Sequence, residues 1–200
     1  MKLQSMRRDI DVFVKSYYQN LKSCIDTFAV TDQKGNPLQF YPAIRETAEK
    51  VASLPSGTNK LMFIGNGASQ AISSHMSTDF WKTGGIRSMA FTDCSLLTCI
   101  GNDFGYDNVF GKPIEMFADQ GDILVAISSS GRSQNIINGV DAARKKDCSV
   151  ITLSGFSPDN PLRTLGDMNF YVPAEAYGPV EILHHSICHC ILDAIVNCNR

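Results

Sequence analysis

The segment Ala126 to Ser133 reads Ala-Ile-Ser-Ser-Ser-Gly-Arg-Ser and carries the densest chemistry of the chain. The apolar run Ile123–Ile127 predicts a short buried strand, and 134–146 predicts a helix. A strand that breaks into hydroxyls and a glycine at a helix N-terminus offers an anion site. Unpaired backbone N–H groups and the positive end of the helix dipole converge there. Ser128, Ser129, Ser130 and Ser133 add side-chain donors, and Gly131 lets the backbone turn close to a ligand. Such a cradle suits a phosphate monoester; a serine-rich turn that only caps the helix is the other reading of the same residues. Spacing excludes two better-known phosphate loops. No Gly-x-x-x-x-Gly-Lys-Ser/Thr occurs, and after Gly65-Asn66-Gly67 the third glycine of a dinucleotide fingerprint is replaced by Gln70.

The second constellation is built from the only four histidines of the chain. His75 and Asp79 lie four residues apart, as do Glu181, His185 and His189 in succession, so each set shares a helical face. Two helices that carry carboxylate and imidazole at one-turn spacing can hold a zinc-like ion. The same groups can serve as general acid and base, or remain solvated or locally paired helix side chains. Cys188 and Cys190 flank His189, but neighbours one residue from a histidine on a helix point elsewhere, so they are expected to be small buried apolar residues.

These groups need elements to position them. Ile10, Phe13, Tyr17, Leu21, Ile25 and Phe28 recur at steps of three and four, which predicts a helix over 8–29 with an apolar stripe that must be covered. Gly35, Asn36 and Pro37 mark 31–37 as a loop, and 42–54 reads as a second helix. Strands are expected at 60–64, 87–92, 123–127, 149–153 and 169–172. Helices are expected over 69–83, from about 95, over 108–117, over 134–146 and over 179–196. This alternation predicts an α/β fold with a parallel sheet between helices. Ligands in such folds bind at strand carboxyl ends near a topological switch point, where 65–69 and 128–133 both fall.

Two hundred residues with 44% hydrophobic content suit one domain with a sizeable core. The net charge of −2 and a pI near 6.1 argue against a dedicated nucleic-acid or membrane-surface binder. No apolar run is read as membrane-spanning, and the basic start at Met1 leads into an amphipathic pattern, not a secretory segment. Seven cysteines without scaffold spacing fit a reducing compartment, so a cytoplasmic location is expected.

Taken together in order, Ile64-Gly65-Asn66-Gly67-Ala68-Ser69, His75, Cys99-Ile100-Gly101-Asn102-Asp103-Phe104-Gly105, Gly121-Asp122-Ile123-Leu124, Ile127–Ser133 and Val150-Ile151-Thr152-Leu153-Ser154-Gly155 resemble the phosphoheptose isomerases. That family is a branch of the sugar isomerase (SIS) domain proteins, and the resemblance spans about residues 60–195. It implies a flavodoxin-like fold and a homotetramer with active sites between subunits. It also implies conversion of sedoheptulose 7-phosphate to D-glycero-D-manno-heptose 7-phosphate through an enediol. The whole of 1–200 would be one SIS domain, 1–55 its helical oligomerisation part and 60–197 its α/β core.

Residue by residue, the resemblance puts the phosphate grip on Ser128, Ser130 and Ser133, with Ser129 beside it, and substrate contacts on Asn66, Ser69 and Asp103. It puts a zinc site on His75, Asp79, Glu181 and His189, and the acid/base pair on Asp79 and His189. Three departures stand out: Asp79 where the family has Glu, Glu181 where it has Gln, and Tyr177-Gly178-Pro179-Val180 in place of an acidic-basic pair. Glu181 and His189 are two helical turns apart, about 12 Å of rise, so His185 is the alternate ligand. Other readings of the same fold are a non-catalytic SIS protein of the DnaA-associating kind, and an isomerase or sensor of another phosphosugar.

Overall fold

The structure, a computed structural model, describes residues 2–55 and 57–198, with side chains from Met6 onward. The elements run α1 (Lys2–Asp26), β1 (Ala29–Asp32), β2 (Pro37–Leu38), α2 (Phe40–Ala52), β3 (Leu61–Gly65), α3 (Ala68–Lys82), β4 (Ser88–Ala90) and α4 (Cys94–Phe104). They continue α5 (Gly111–Phe117), β5 (Ile123–Ser128), α6 (Gln134–Lys145), β6 (Ser149–Ser154), β7 (Met168–Tyr171) and α7 (Tyr177–Cys198).

The strands form one seven-stranded sheet in the order β2-β1-β7-β6-β5-β3-β4. From β7 to β4 every pairing is parallel. The central strands read as continuous apolar runs because both faces are covered: every residue of β3 and β5 is buried. Alternate side chains sort into two cores. Leu61, Phe63, Ile123, Val125, Ile127, Ile151 and Leu153 face the layer of α2, α3 and α7. Met62, Ile64, Leu124, Ala126 and Val150 face the layer of α5 and α6.

The five parallel strands, counted in chain order, lie 2-1-3-4-5, the flavodoxin-like order. The chain winds one way from β3 to β4 and the other way from β5 onward. A crevice therefore opens between the carboxyl ends of β3 and β5, where neither connection passes over it. Those ends are Gly65 and Ser128.

The expected loop at 31–37 is instead the turn of a hairpin. β1 pairs antiparallel with β2 on one side and β7 on the other, so the N-terminal part supplies the sheet edge as well as helices. The Asp32 carboxylate accepts hydrogen bonds from the backbone N–H of Lys34 and Asn36, and Gly35 takes φ +79°. This turn chemistry was legible as a break but not as a pairing, because the partner β7 lies far away in sequence. The predicted helix over 8–29 ends at Asp26. Phe28, the last member of its stripe, leaves the helix and packs on Phe40 with ring centroids 4.8 Å apart.

By length and composition α7 is apolar enough to cross a bilayer, which the sequence reading did not recognise. Its face Val180, Leu183, Ile187, Ile191 and Leu192 is buried against the sheet, which makes it a core helix here.

Candidate active site at the switch point

A cleft of about 260 Å³ lies in the crevice. Asn66, Gly67, Ala68 and Ser69 line it from the β3–α3 junction, Ile127, Ser128, Ser129, Ser130 and Ser133 from the β5–α6 junction, and Tyr177 and Glu181 from α7. Two segments some sixty residues apart in sequence thus face one space. Glu181 is the only charged side chain among these lining residues. An anion held here would meet hydroxyls and the N-terminal ends of α3 and α6 instead of a cation from this chain.

Local backbone chemistry shapes both walls. A Cβ on Gly65 would sit 2.5 Å from the carbonyl carbon and oxygen of Ser69, so only glycine lets α3 begin this close to β3. Gly131 turns at φ +61°, and a Cβ there would meet the Asn160 side chain. Asn160 is buried, and its Nδ2 donates to Gly155 O and Ser157 O at 3.2 and 2.8 Å. The Gly131 N–H donates to Ser128 O at 3.0 Å. Gly155 N–H donates to Ser129 O at 3.0 Å, and His184, fully buried, makes a 3.0 Å contact from Nε2 to Ser154 O. Burial holds the His184 imidazole neutral, its pKa down at about 4, so Nε2–H donates to that carbonyl. The serine turn is therefore tied to the end of β6 and, through it, to α7.

Ser133 stands at the N-cap of α6, yet its side chain makes no capping hydrogen bond. Ser133 lines the cleft instead, which speaks against a turn that only caps the helix. Asn66 forms a reciprocal amide pair with Asn135, at 2.9 and 2.8 Å, and its Oδ1 accepts from the Tyr106 hydroxyl at 3.0 Å. Sequence reasoning missed Asn135, Asn160, Tyr106 and Tyr177. Only Tyr177 carried a signal, as part of the stretch that departs from the resemblance; the others matter through contacts across the fold. Asp103 sits on α4 outside the cleft lining. It is exposed, and its carboxylate accepts from Asn102 Nδ2 at 2.8 Å and lies 3.6 Å from Cys99 Sγ.

Both α3 and α7 begin at the cleft and run on side by side. About two turns along α3, His75 meets His185 and His189 of α7, and one donor atom from each of the three lies within 4.8 Å of the others. His75 Nδ1 is 2.9 Å from His185 Nε2. Its other nitrogen, Nε2, is 3.2 Å from Asp79 Oδ2, and Lys82 Nζ approaches Asp79 Oδ1 at 3.4 Å. Burial and the neighbouring imidazoles of His189 and His75 hold His185 below its ordinary pKa, partly opposed by Asp79. Three imidazole nitrogens at this spacing fit a divalent ion such as Zn²⁺, whose nitrogen ligands sit about 2.0–2.1 Å from it. Glu181 lies one turn before His185 and faces the cleft, outside this cluster. The two cysteines beside His189 differ: Cys188 is buried with its thiol pushed up to about 12 by desolvation, whereas Cys190 is exposed.

The chain is similar to known proteins in sequence and in fold. The SIS domain family matches residues 16–155. A phosphoheptose isomerase of Aliarcobacter butzleri is 39% identical over 158 residues, covering 73% of this chain and 82% of its own. One of Sulfurimonas denitrificans is 36% identical over 158 residues, covering 76% and 80%. The solved phosphoheptose isomerase of Neisseria gonorrhoeae superposes with a TM-score of 0.81 at 26% identity, covering 96% of this chain and 99% of that one.

Proposed function

This chain belongs to the SIS-domain family, in its phosphoheptose isomerase branch, and on that premise we propose how its cleft and histidine cluster divide the work. The activity is an aldose–ketose isomerisation that converts sedoheptulose 7-phosphate to D-glycero-D-manno-heptose 7-phosphate, a step of heptose biosynthesis. The single observation that carries it onto these residues is the shared cleft: the serine turn and the Asn66–Ser69 turn face one space at the switch point. Relatives at 39% and 36% identity are phosphoheptose isomerases, which favours this reading over a non-catalytic replication partner or a sensor of another phosphosugar.

Ser128, Ser130 and Ser133, with Ser129 alongside, hold the substrate phosphate at the N-terminus of α6. Fixing the phosphate positions the reacting carbons without touching them. Asn66 and Ser69 hold sugar oxygens on the α3 side, and Asp103, on α4, contributes from the rim. Asp79 and His189 form the acid/base pair. A base takes the proton from the carbon beside the carbonyl to leave an enediol, and an acid returns one to the neighbouring carbon. Histidine suits this task because its ordinary pKa lies near neutrality.

The resemblance assigns a divalent ion, zinc first, to His75, Asp79, Glu181 and His189 with His185 as alternate; of these the three imidazoles His75, His185 and His189 are the donors that converge. When bound, the ion supplies a positive charge that favours the carbonyl and enediol oxygens. The supporting observation is the convergence of three imidazoles beside the cleft. The whole of 1–200 is one SIS domain in this reading, with 1–55 its oligomerisation part and 60–197 its α/β core. The protein works in the cytoplasm, where its seven free thiols stay reduced. It is a homotetramer whose active sites lie between subunits.

The test is NMR of sedoheptulose 7-phosphate with the purified protein, with and without Zn²⁺, beside other ketose phosphates. Heptose phosphate is expected to accumulate, and His189→Asn to abolish turnover while phosphosugar binding survives. Full turnover by His189→Asn would remove this face from the active site.

A further inference from the structure

The polar groups on α3 and α7 point in three different directions, and the directions do not match a site in which all of them grip one ion. Resting on the isomerase reading above, we infer that this chain binds its ion with three imidazoles, His75, His185 and His189. Asp79 then orients His75 from behind instead of binding the ion, and Glu181 is released to the substrate cleft.

His75 shows which of its nitrogens is which. Nδ1 faces His185 Nε2 at 2.9 Å, so it is the nitrogen turned into the cluster. Nε2 points away, to Asp79 Oδ2 at 3.2 Å. A carboxylate that accepts the remote N–H of a metal-binding imidazole fixes its tautomer and ring orientation and raises its basicity. Asp79 has the position for that work, four residues on along the same helix, and Lys82 Nζ takes its other oxygen at 3.4 Å. One methylene less than glutamate keeps this carboxylate close to its own helix, beside His75.

Glu181 points elsewhere. It lines the cleft with Tyr177 and the serine turn, one turn before His185 and two turns before His189. His189 and Glu181 are separated by about 12 Å of helix rise, so one ion reaches both only by lying between them. The donor that α7 presents beside His189 is His185, one turn away, with ring centroids 4.7 Å apart. The three features belong together: His185 supplies the α7 donor, which leaves Glu181 to accept a hydrogen bond from a sugar hydroxyl. Three neutral imidazoles also leave the charge of the ion undiminished, and three protein ligands with an open fourth position is the arrangement of catalytic zinc sites.

The full-length protein, stripped with a chelator and titrated with Zn²⁺ and then with Co²⁺ as a spectroscopic probe, tests this assignment. His185→Ala and His185→Asn are expected to weaken Zn²⁺ binding by about a hundredfold or more and to change the Co²⁺ visible spectrum. Asp79→Asn should weaken binding by about ten- to a hundredfold, the usual cost of losing such an orienting partner, with the Co²⁺ band shape retained. Glu181→Ala, which removes every donor at this position, should leave Zn²⁺ affinity and the Co²⁺ spectrum unchanged while raising KM for the heptose phosphate. Loss of metal in Glu181→Ala, or wild-type affinity in both His185 variants, would overturn the assignment. If the metal data follow the expectation but no phosphosugar is turned over, the ligand set stands and the isomerase reading fails instead.

Discussion

At the scale of single residues, the cleft is lined by serine hydroxyls and one carboxylate. Neutral donors suit a phosphate that must bind and leave within each turnover, because each hydrogen bond to a charged group is worth about 1.5–3 kcal/mol. Replacing Ser128 and Ser130 together by alanine should therefore raise KM by about a hundredfold or more. Steady-state kinetics checks this, and a circular dichroism spectrum like that of the unaltered protein shows that the fold is intact. An unchanged KM would mean that the phosphate sits elsewhere. Ser128 and Ser129 are buried, so part of their packing is lost as well, whereas Ser130 and Ser133 are partly open to the cleft.

At the scale of elements, the site depends on how closely α3 and α6 approach the strands that precede them. Gly65 shows the tolerance: a methyl group there would overlap the Ser69 backbone, whose atoms lie 2.5 Å from its ideal position. Gly65→Ala pushes α3 away from β3 and moves Ser69 in the cleft wall. Overpacking of this kind costs about 1–3 kcal/mol, which lowers Tm by roughly 2–10 °C in a chain of this size. Calorimetry and KM measured on the same preparation check it; a variant with unchanged Tm and KM would show that α3 shifts without consequence. The strand-to-helix junctions were readable as motifs because glycine and serine break a buried strand abruptly. Their tie to Asn160 and to the end of β6 was not, since it joins segments that only the sheet brings together.

At the scale of the whole molecule, α1 is the element the single chain leaves uncovered. Its predicted stripe does form a helical face, but Ile10, Phe13 and Ile25 remain 48%, 64% and 50% exposed. Among its described side chains only Cys24 is buried, with Leu21 packed partly against the core. Phe104, Met116 and Phe117, around α4 and α5, are exposed as well. Apolar faces of this kind mark interaction surfaces, and the proposed tetramer would cover them. Sedimentation at micromolar concentration should show an assembly, tetrameric in size, that the double variant Ile10→Glu/Phe13→Glu dissociates. Because the active sites are proposed to lie between subunits, the dissociated variant should also lose turnover. A stable wild-type monomer would refute the assembly.

The sequence by itself determined the alternation of strands and helices, the parallel core and the two turns that meet at the switch point. Each of these is a local signal: apolar runs of strand length, helical periodicity, and glycine or serine where the backbone must turn. It also marked His75, Asp79, Glu181, His185 and His189 as a set, since one-turn spacing on a helix is visible without a fold. It left open which of them face one another, because spacing along one helix says nothing about its rotation toward the next. Only the packing of α3 beside α7 decided that His75 Nδ1 turns to His185, that Asp79 lies behind it and that Glu181 opens onto the cleft. Tertiary structure likewise turned the expected loop at 31–37 into a sheet-edge hairpin, since pairing with β7 is a contact between segments more than a hundred residues apart.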